Sequence, residues 1–163
     1  MTDAAAEIPV LSSETAFDAA AVARVVEAAF GPGRYAKTAE RLREGSEPQV
    51  GFVMRGAEGV IGSVRLWPIW VGETPSTFLG PIAVDRSWRE AGLGAGLVEA
   101  CVTWAREQGL AGILLVGDPP YFERFGFERA ADVALPGPVD QARVLWLSLD
   151  GTTPVGDVCV SQG

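Results

Sequence analysis

Apolar residues fall into short runs punctuated by glycine and proline, and the spacing within each run predicts its element. Ile8 to Leu11 reads as a first strand, and Ser12 and Ser13 offer N-caps for a helix behind it. In that helix Phe17, Ala20, Ala21, Val25, Ala28 and Ala29 recur at three- and four-residue steps, which predicts one apolar face. Gly31-Pro32-Gly33 stops it. A second short helix is expected over Ala36 to Glu44, ending at Gly45.

The period then changes. Val50 to Met54 and Val60 to Trp70 are rich in Val, Ile and Trp, and the turn Gly56 to Gly59 joins them as a hairpin. Gly72 to Ser76 makes a second turn, and Thr77 to Val84 a third strand, interrupted by Gly80-Pro81. A long helix is expected from about Gly92 to Gln108, a short apolar strand over Gly112 to Val116, and a helix of one or two turns over Pro119 to Phe125. Val144 to Leu149 closes the sheet, and the tail from Gly151 alternates weakly through Val158 and Val160. Three consecutive strands pair as antiparallel hairpins. The β-α-β unit from strand 77–84 to strand 112–116 implies one parallel pair with a right-handed crossover. A mixed sheet in an α/β (α+β) chain follows.

Composition narrows the chemistry. The chain has 163 residues, within the size of a single domain, and a net charge of −8 from 13 basic and 21 acidic side chains. Such an acidic balance argues against nucleic acid as a partner, because phosphate backbones are held by excess Lys and Arg. There is no histidine, which excludes Ser-His-Asp and Cys-His catalysis and His-based zinc sites. Two cysteines, Cys101 and Cys159, make neither a disulfide framework nor a four-thiolate centre, so no metal is expected. The longest apolar run, Leu110 to Gly117, is far below the ~20 residues that span a bilayer, and no signal-peptide pattern opens the chain. A cytoplasmic protein without a membrane partner is the expectation.

The informative stretch is Ile82-Ala83-Val84-Asp85-Arg86-Ser87-Trp88-Arg89-Glu90-Ala91-Gly92-Leu93-Gly94-Ala95, which runs strand, loop, helix. A helix N-terminus presents unpaired N–H groups and a positive dipole end, and glycines let an anion approach the backbone. The same glycines would also serve a turn that merely packs tightly. The spacing is neither G-x-G-x-x-G nor G-x-x-x-x-G-K-[ST], and no lysine follows, which argues against an ATP or GTP loop.

Arg89-x-x-Gly92-x-Gly94 resembles the (Q/R)-x-x-G-x-(G/A) signature of the GCN5-related N-acetyltransferase (GNAT) superfamily. Leu79-Gly80-Pro81-Ile82-Ala83-Val84 and the run from Gly117-Asp118-Pro119-Pro120-Tyr121-Phe122 to Arg124-Phe125-Gly126-Phe127 resemble a bacterial branch of that superfamily, the YhbS-like predicted N-acetyltransferases. The resemblance implies the GNAT fold over residues 1–163: a mostly antiparallel mixed sheet splayed at its central strands, with helices on both faces. It implies acetyl-CoA as co-substrate and a small-molecule or peptide amine as acceptor, and it admits a homodimer. The pantetheine would pair with the backbone of Ile82, Ala83 and Val84. The pyrophosphate would rest on the N–H groups of Glu90, Ala91, Gly92, Leu93, Gly94 and Ala95, with Arg86 or Arg89 nearby. Pro81 cannot donate to a ladder, so a bulge at Gly80-Pro81 would open the slot.

Two features depart from the pattern, the loop and the general-acid position. Glu90, Ala91 and Ala95 replace residues that usually add donors or positive charge, so cofactor binding would lean on backbone amides. The family's usual general acid is a tyrosine four residues before Gly126, and that position holds Phe122. Tyr121 is its neighbour, rotated by ~100° on a helix, and either substitutes as the acid or packs. The general base is sought among carboxylates, with Asp118 and Glu73 as candidates. Asp118-Pro119 also reads as a plain helix start. Arg34, Tyr35 and Trp67 are candidate acceptor contacts. The rival reading is a non-catalytic CoA-binding or regulatory module on the same fold.

Overall fold

The computed structural model describes residues 9–30, 47–57 and 59–160, with backbone alone at 30 and 89–91. The expected helix 36–44 lies outside the described residues. The first strand, β1, is Val10–Ser13, two residues later than the apolar run suggests. A 3-10 turn at Ala16–Asp18 leads into α1, Ala19–Phe30. The entry is fixed by Thr15 and Asp18 rather than by Ser12 or Ser13: the Thr15 N–H donates to Asp18 Oδ2 at 2.8 Å. Arg55 then grips both Asp18 oxygens at 2.8 and 2.7 Å. The guanidinium holds the Asp18 carboxyl well below the ordinary carboxylate range. The buried face of α1 is Val22, Val25 and Val26, while Phe17 is 99% exposed and Ala20 and Ala28 face solvent. Alanines surround this helix on every side, so their spacing cannot choose a face; the bulkier valines do, because they remove more apolar area from water.

The next three strands are β2 (Val50–Gly56), β3 (Gly59–Val71) and β4 (Thr74–Val84). The β3–β4 turn is tighter than the expected five residues: Val71 pairs with Thr74 across Gly72-Glu73, and Gly72 takes a φ of +59°. A 3-10 segment, Arg86–Ala91, precedes α2, Leu93–Glu107. Strand β5 is Gly112–Val116, α3 is Pro119–Phe122, and a 3-10 turn at Glu123–Phe125 extends it. Four more strands complete the described chain: β6 (Glu128–Arg129), β7 (Val133–Ala134), β8 (Val144–Ser148) and β9 (Gly156–Val160).

The sheet runs β1-β2-β3-β4-β5-β8-β6, antiparallel except at β4–β5. The tail strand β9 pairs with Ile69–Val71 of β3, continuing the edge that β2 leaves after Leu66, and β7 pairs with β9. Helix α2 buries Leu93, Leu97, Val98, Cys101 and Ala105 against Val64, Leu66, Leu79 and Ile113. Helix α1 covers Val53 and Ala83 on the other face. A further cluster, containing Trp67, Phe78, Leu114 and Trp146, fills the far end. None of the helices among the described residues is long and apolar enough to cross a membrane.

Candidate cofactor site

Strands β4 and β5 touch over only two residue pairs, Thr77 with Ile113 and Phe78 with Leu114. Beyond them the strands part. The cause is on β4, where the pairing with β3 slips: Val64 faces Ile82 and Leu66 faces Leu79, so Arg65 stands opposite both Gly80 and Pro81. This is the bulge expected at Gly80-Pro81, joined by a cis peptide bond, with Gly80 at a φ of +151° that suits glycine. Buried Trp67 donates its indole N–H to the Gly80 carbonyl. Thr77, fully buried where the strands part, donates to Gln49 Oε1 at 2.7 Å. Below the bulge, Ala83 turns toward α1 while Ile82 and Val84 lie against the α2 cluster.

The wedge widens toward the start of α2. Asp85 caps the 3-10 segment by accepting from the Ser87 N–H at 3.0 Å and the Ser87 hydroxyl at 2.7 Å. Gly92 then turns left-handed, with a φ of +79°, and among the described residues beyond its chain neighbours nothing stands within 4 Å of where its Cβ would be. Leu93 and Leu97 anchor the helix in the core. The N–H groups of its first turn have no acceptors within the helix and carry the positive dipole end. The backbone of Arg89, Glu90 and Ala91 lies in the 3-10 segment just before it. Arg86 lies elsewhere: it lines an open groove of about 500 Å³ with Arg24, Ala28 and Val60, on the α1 side of the sheet.

The second motif meets the first at this helix end. Asp118 is the exposed N-cap of α3, and its carbonyl accepts from the N–H groups of Tyr121 and Phe122, both at 3.1 Å. Gly126 ends the turn with a φ of +98°. Phe122 points inward. It is 7% exposed, lies over Gly117 and meets Phe127 edge-on at 5.8 Å. Tyr121 is half-buried, held edge-on by Phe122 at 4.9 Å and Phe125 at 5.5 Å, with the Arg124 guanidinium 5.2 Å from its ring. Its hydroxyl stands 2.9 Å from the place a Cβ on Gly94 would occupy. The helical turn therefore sends Phe122 into the core and Tyr121 to the first turn of α2.

The other expected site residues are placed differently. Glu73 sits exposed in the β3–β4 turn, nine residues from Ile82, or ~30 Å along an extended strand. The structure does not bring it to Tyr121. Trp67 is 7% exposed and spends its one donor on Gly80, so it does not stand as an open wall for an acceptor. Its place in an apolar strand concealed that bond, because nothing in the local pattern announces which carbonyl a tryptophan will meet. Arg34 and Tyr35 lie outside the described residues. Among the described residues no group of His, Cys, Asp or Glu side chains could hold a metal. Burial pushes the Cys101 thiol far above its ordinary range, so it is not a nucleophile at neutral pH.

An open wedge leading to a helix N-terminus, with space at Gly92, fits a long ligand that ends in phosphate and carries amides along its arm. The model of the acetyltransferase (GNAT) family matches residues 20–127. The chain belongs to the GNAT family. This GNAT chain is 34% identical over 127 residues to the uncharacterized N-acetyltransferase YhbS of Escherichia coli K12, covering 72% of each protein. The crystal structure of E. coli YhbS in complex with CoA superposes with a TM-score of 0.81 at 30% identity, over 99% of this chain and 94% of that one. A GNAT acetyltransferase from Brucella melitensis in complex with acetyl-CoA superposes at 0.75 with 26% identity, over 95% and 97% of the two chains. The splayed, mostly antiparallel sheet with helices on both faces is the architecture these proteins share.

Proposed function

We propose that this chain is a single-domain, acetyl-CoA-dependent N-acetyltransferase that acetylates a primary amine by direct attack in a ternary complex. The observation that carries the reading is the β4–β5 wedge, which leads to the N-terminus of α2 with the Tyr121 hydroxyl over Gly94. The donor would supply an activated thioester. The backbone of Ile82, Ala83 and Val84 would pair with its amide-bearing arm, and the N–H groups of residues 90–95 would hold its pyrophosphate. That role needs no lysine, which suits the loop as it stands.

A new N–C bond forms as the C–S bond breaks, and the amine loses one proton. Asp118, three residues before Tyr121, is better placed than Glu73 to take that proton, directly or through water. The β4 amides would stabilise the oxyanion. Tyr121 would protonate the departing thiolate from the next position along the helix. An acyl-enzyme is not part of this scheme, since Cys101 is buried and Cys159 lies on β9 opposite Trp70 of β3, away from the wedge. The net charge of −8 favours a cationic acceptor by steering.

A second reading is motivated by buried Phe122 at the family's usual tyrosine position: a CoA-binding module without turnover. Isothermal titration with acetyl-CoA, beside a thiol-release assay over a panel of polyamines, amino sugars and peptide N-termini, separates the two. Binding with release on at least one amine is expected. Tight binding with no release on any amine would establish the module instead, and absence of binding would remove both.

A further inference from the structure

Four large side chains form one row across the far face of the sheet: Trp67 opposite Phe78, Phe78 beside Leu114, and Leu114 opposite Trp146. The row marks the place where β4 and β5 last touch. Trp67 alone reaches past it, with its indole N–H on the Gly80 carbonyl two residues further along β4. Ladder groups lie in the plane of a sheet, whereas side chains stand perpendicular to it. A donor on the face can therefore meet a neighbouring strand's carbonyl only where that carbonyl has left the plane. The next residue, Pro81, has no N–H. Two successive ladder groups of β4 are thus removed where the wedge opens, and both Gly80 and Trp67 are buried, so water cannot replace the bond.

We propose that Trp67 is a positioning residue: its indole N–H holds the Gly80 carbonyl out of the ladder and so sets where Ile82 to Val84 present their backbone to the acyl donor's arm. The proposal rests on the acetyl-CoA reading above. Trp67 touches no reacting atom. It acts through Gly80 and leaves the amides at the start of α2 untouched.

The test compares affinity for acetyl-CoA with affinity for adenosine 3′,5′-diphosphate, the nucleotide end alone, by isothermal titration of the full chain. Trp67→Phe is expected to weaken acetyl-CoA about tenfold and the nucleotide by no more than about twofold. Trp146→Phe is the control, because Trp146 lies in the same cluster and donates its indole N–H to the Thr152 carbonyl at 3.2 Å, away from the bulge. It should leave both affinities within about twofold. Trp67→His removes more volume but keeps a ring N–H, and it should retain more acetyl-CoA affinity than Trp67→Phe. Amide hydrogen exchange should quicken over residues 79–83 in Trp67→Phe and not in Trp146→Phe. Equal losses for the two ligands, equal losses in both phenylalanine variants, or a histidine variant worse than phenylalanine would overturn the proposal. If the wild type binds neither ligand, the acetyl-CoA reading fails, and the exchange comparison alone decides whether Trp67 fixes the bulge.

Discussion

Gly94→Ala tests the meeting of the two motifs. The backbone there is ordinary helix, so an alanine is free of φ strain, and replacing glycine within a helix contributes up to ~1 kcal/mol of stability. In this chain the new methyl would lie 2.9 Å from Tyr121 Oη, about half an ångström inside the 3.4 Å where ordinary contact begins. The ring cannot slide away freely, since Phe122, Phe125 and Arg124 hold it. Forcing it aside costs ~1 kcal/mol, in the range for a displaced side chain. The two effects nearly cancel, so Gly94→Ala alone should leave the melting temperature within a degree or two. In a Tyr121→Phe background the oxygen is gone and the helix gain stands alone. Gly94→Ala should then raise the melting temperature by about 2–4 °C, the shift that ~1 kcal/mol gives a domain of this size. The assay is a double-mutant cycle by calorimetric or fluorimetric melting, with acetyl-CoA titration on the same four proteins. A Gly94→Ala shift that is the same in both backgrounds would refute the placement of the Tyr121 hydroxyl over α2.

Phe122→Tyr, which restores the family's usual residue, should not raise acetyl transfer; the ring lies over Gly117 and against Phe127, and a desolvated hydroxyl costs ~1–3 kcal/mol, to be read as a lower melting temperature and an unchanged or lower rate. Asp18→Asn should destabilise the chain at neutral pH and lose its effect in acid. The folded carboxyl is held below its unfolded value of roughly 3.9, so its contribution is complete above that pH and declines as pH falls beneath it. The gap between the melting temperatures of the two proteins should narrow steadily as pH falls from about 4 to about 2; a constant gap would show that the Arg55 contact is not the source. A thiol reagent should label Cys159 alone in the native protein and both cysteines after unfolding, because Cys101 is buried under α2.

Much of this architecture was legible beforehand. Strand Gly112–Val116 is observed as expected, because a short apolar run bounded by glycine has few alternatives in a core. The Gly80-Pro81 bulge was also legible, since a proline in a central strand has to interrupt its ladder. The apolar face of α1 was not, because an alanine-rich helix offers no contrast and the choice belongs to the sheet beneath it. The small strands β6 and β7 exist only through pairing with β8 and β9, a long-range fact that two residues cannot carry. At the site, motif spacing placed the loop and α3 but left open whether Tyr121 or Phe122 faces inward. Packing over Gly117 makes that choice. Glu73, a candidate base by residue type, lies in the β3–β4 turn away from Tyr121, because a hairpin turn and a helix start can lie at opposite ends of one strand.

The two residue pairs that join β4 to β5 have a mechanical consequence. They act as a weld between two plates, β1–β4 on one side and β5, β8 and β6 on the other. A change of aperture that preserves these two pairs is a rotation about the line through Phe78 and Leu114. Displacement grows with distance from that line, so the opening yields readily at its mouth and hardly at all at its root. For an acyl donor seated in it, the atoms nearest the root meet walls of fixed spacing, while those at the mouth meet compliant ones. Under the proposed acetyl-CoA reading, discrimination by acyl size would then belong to the root, and tolerance of the nucleotide end to the mouth.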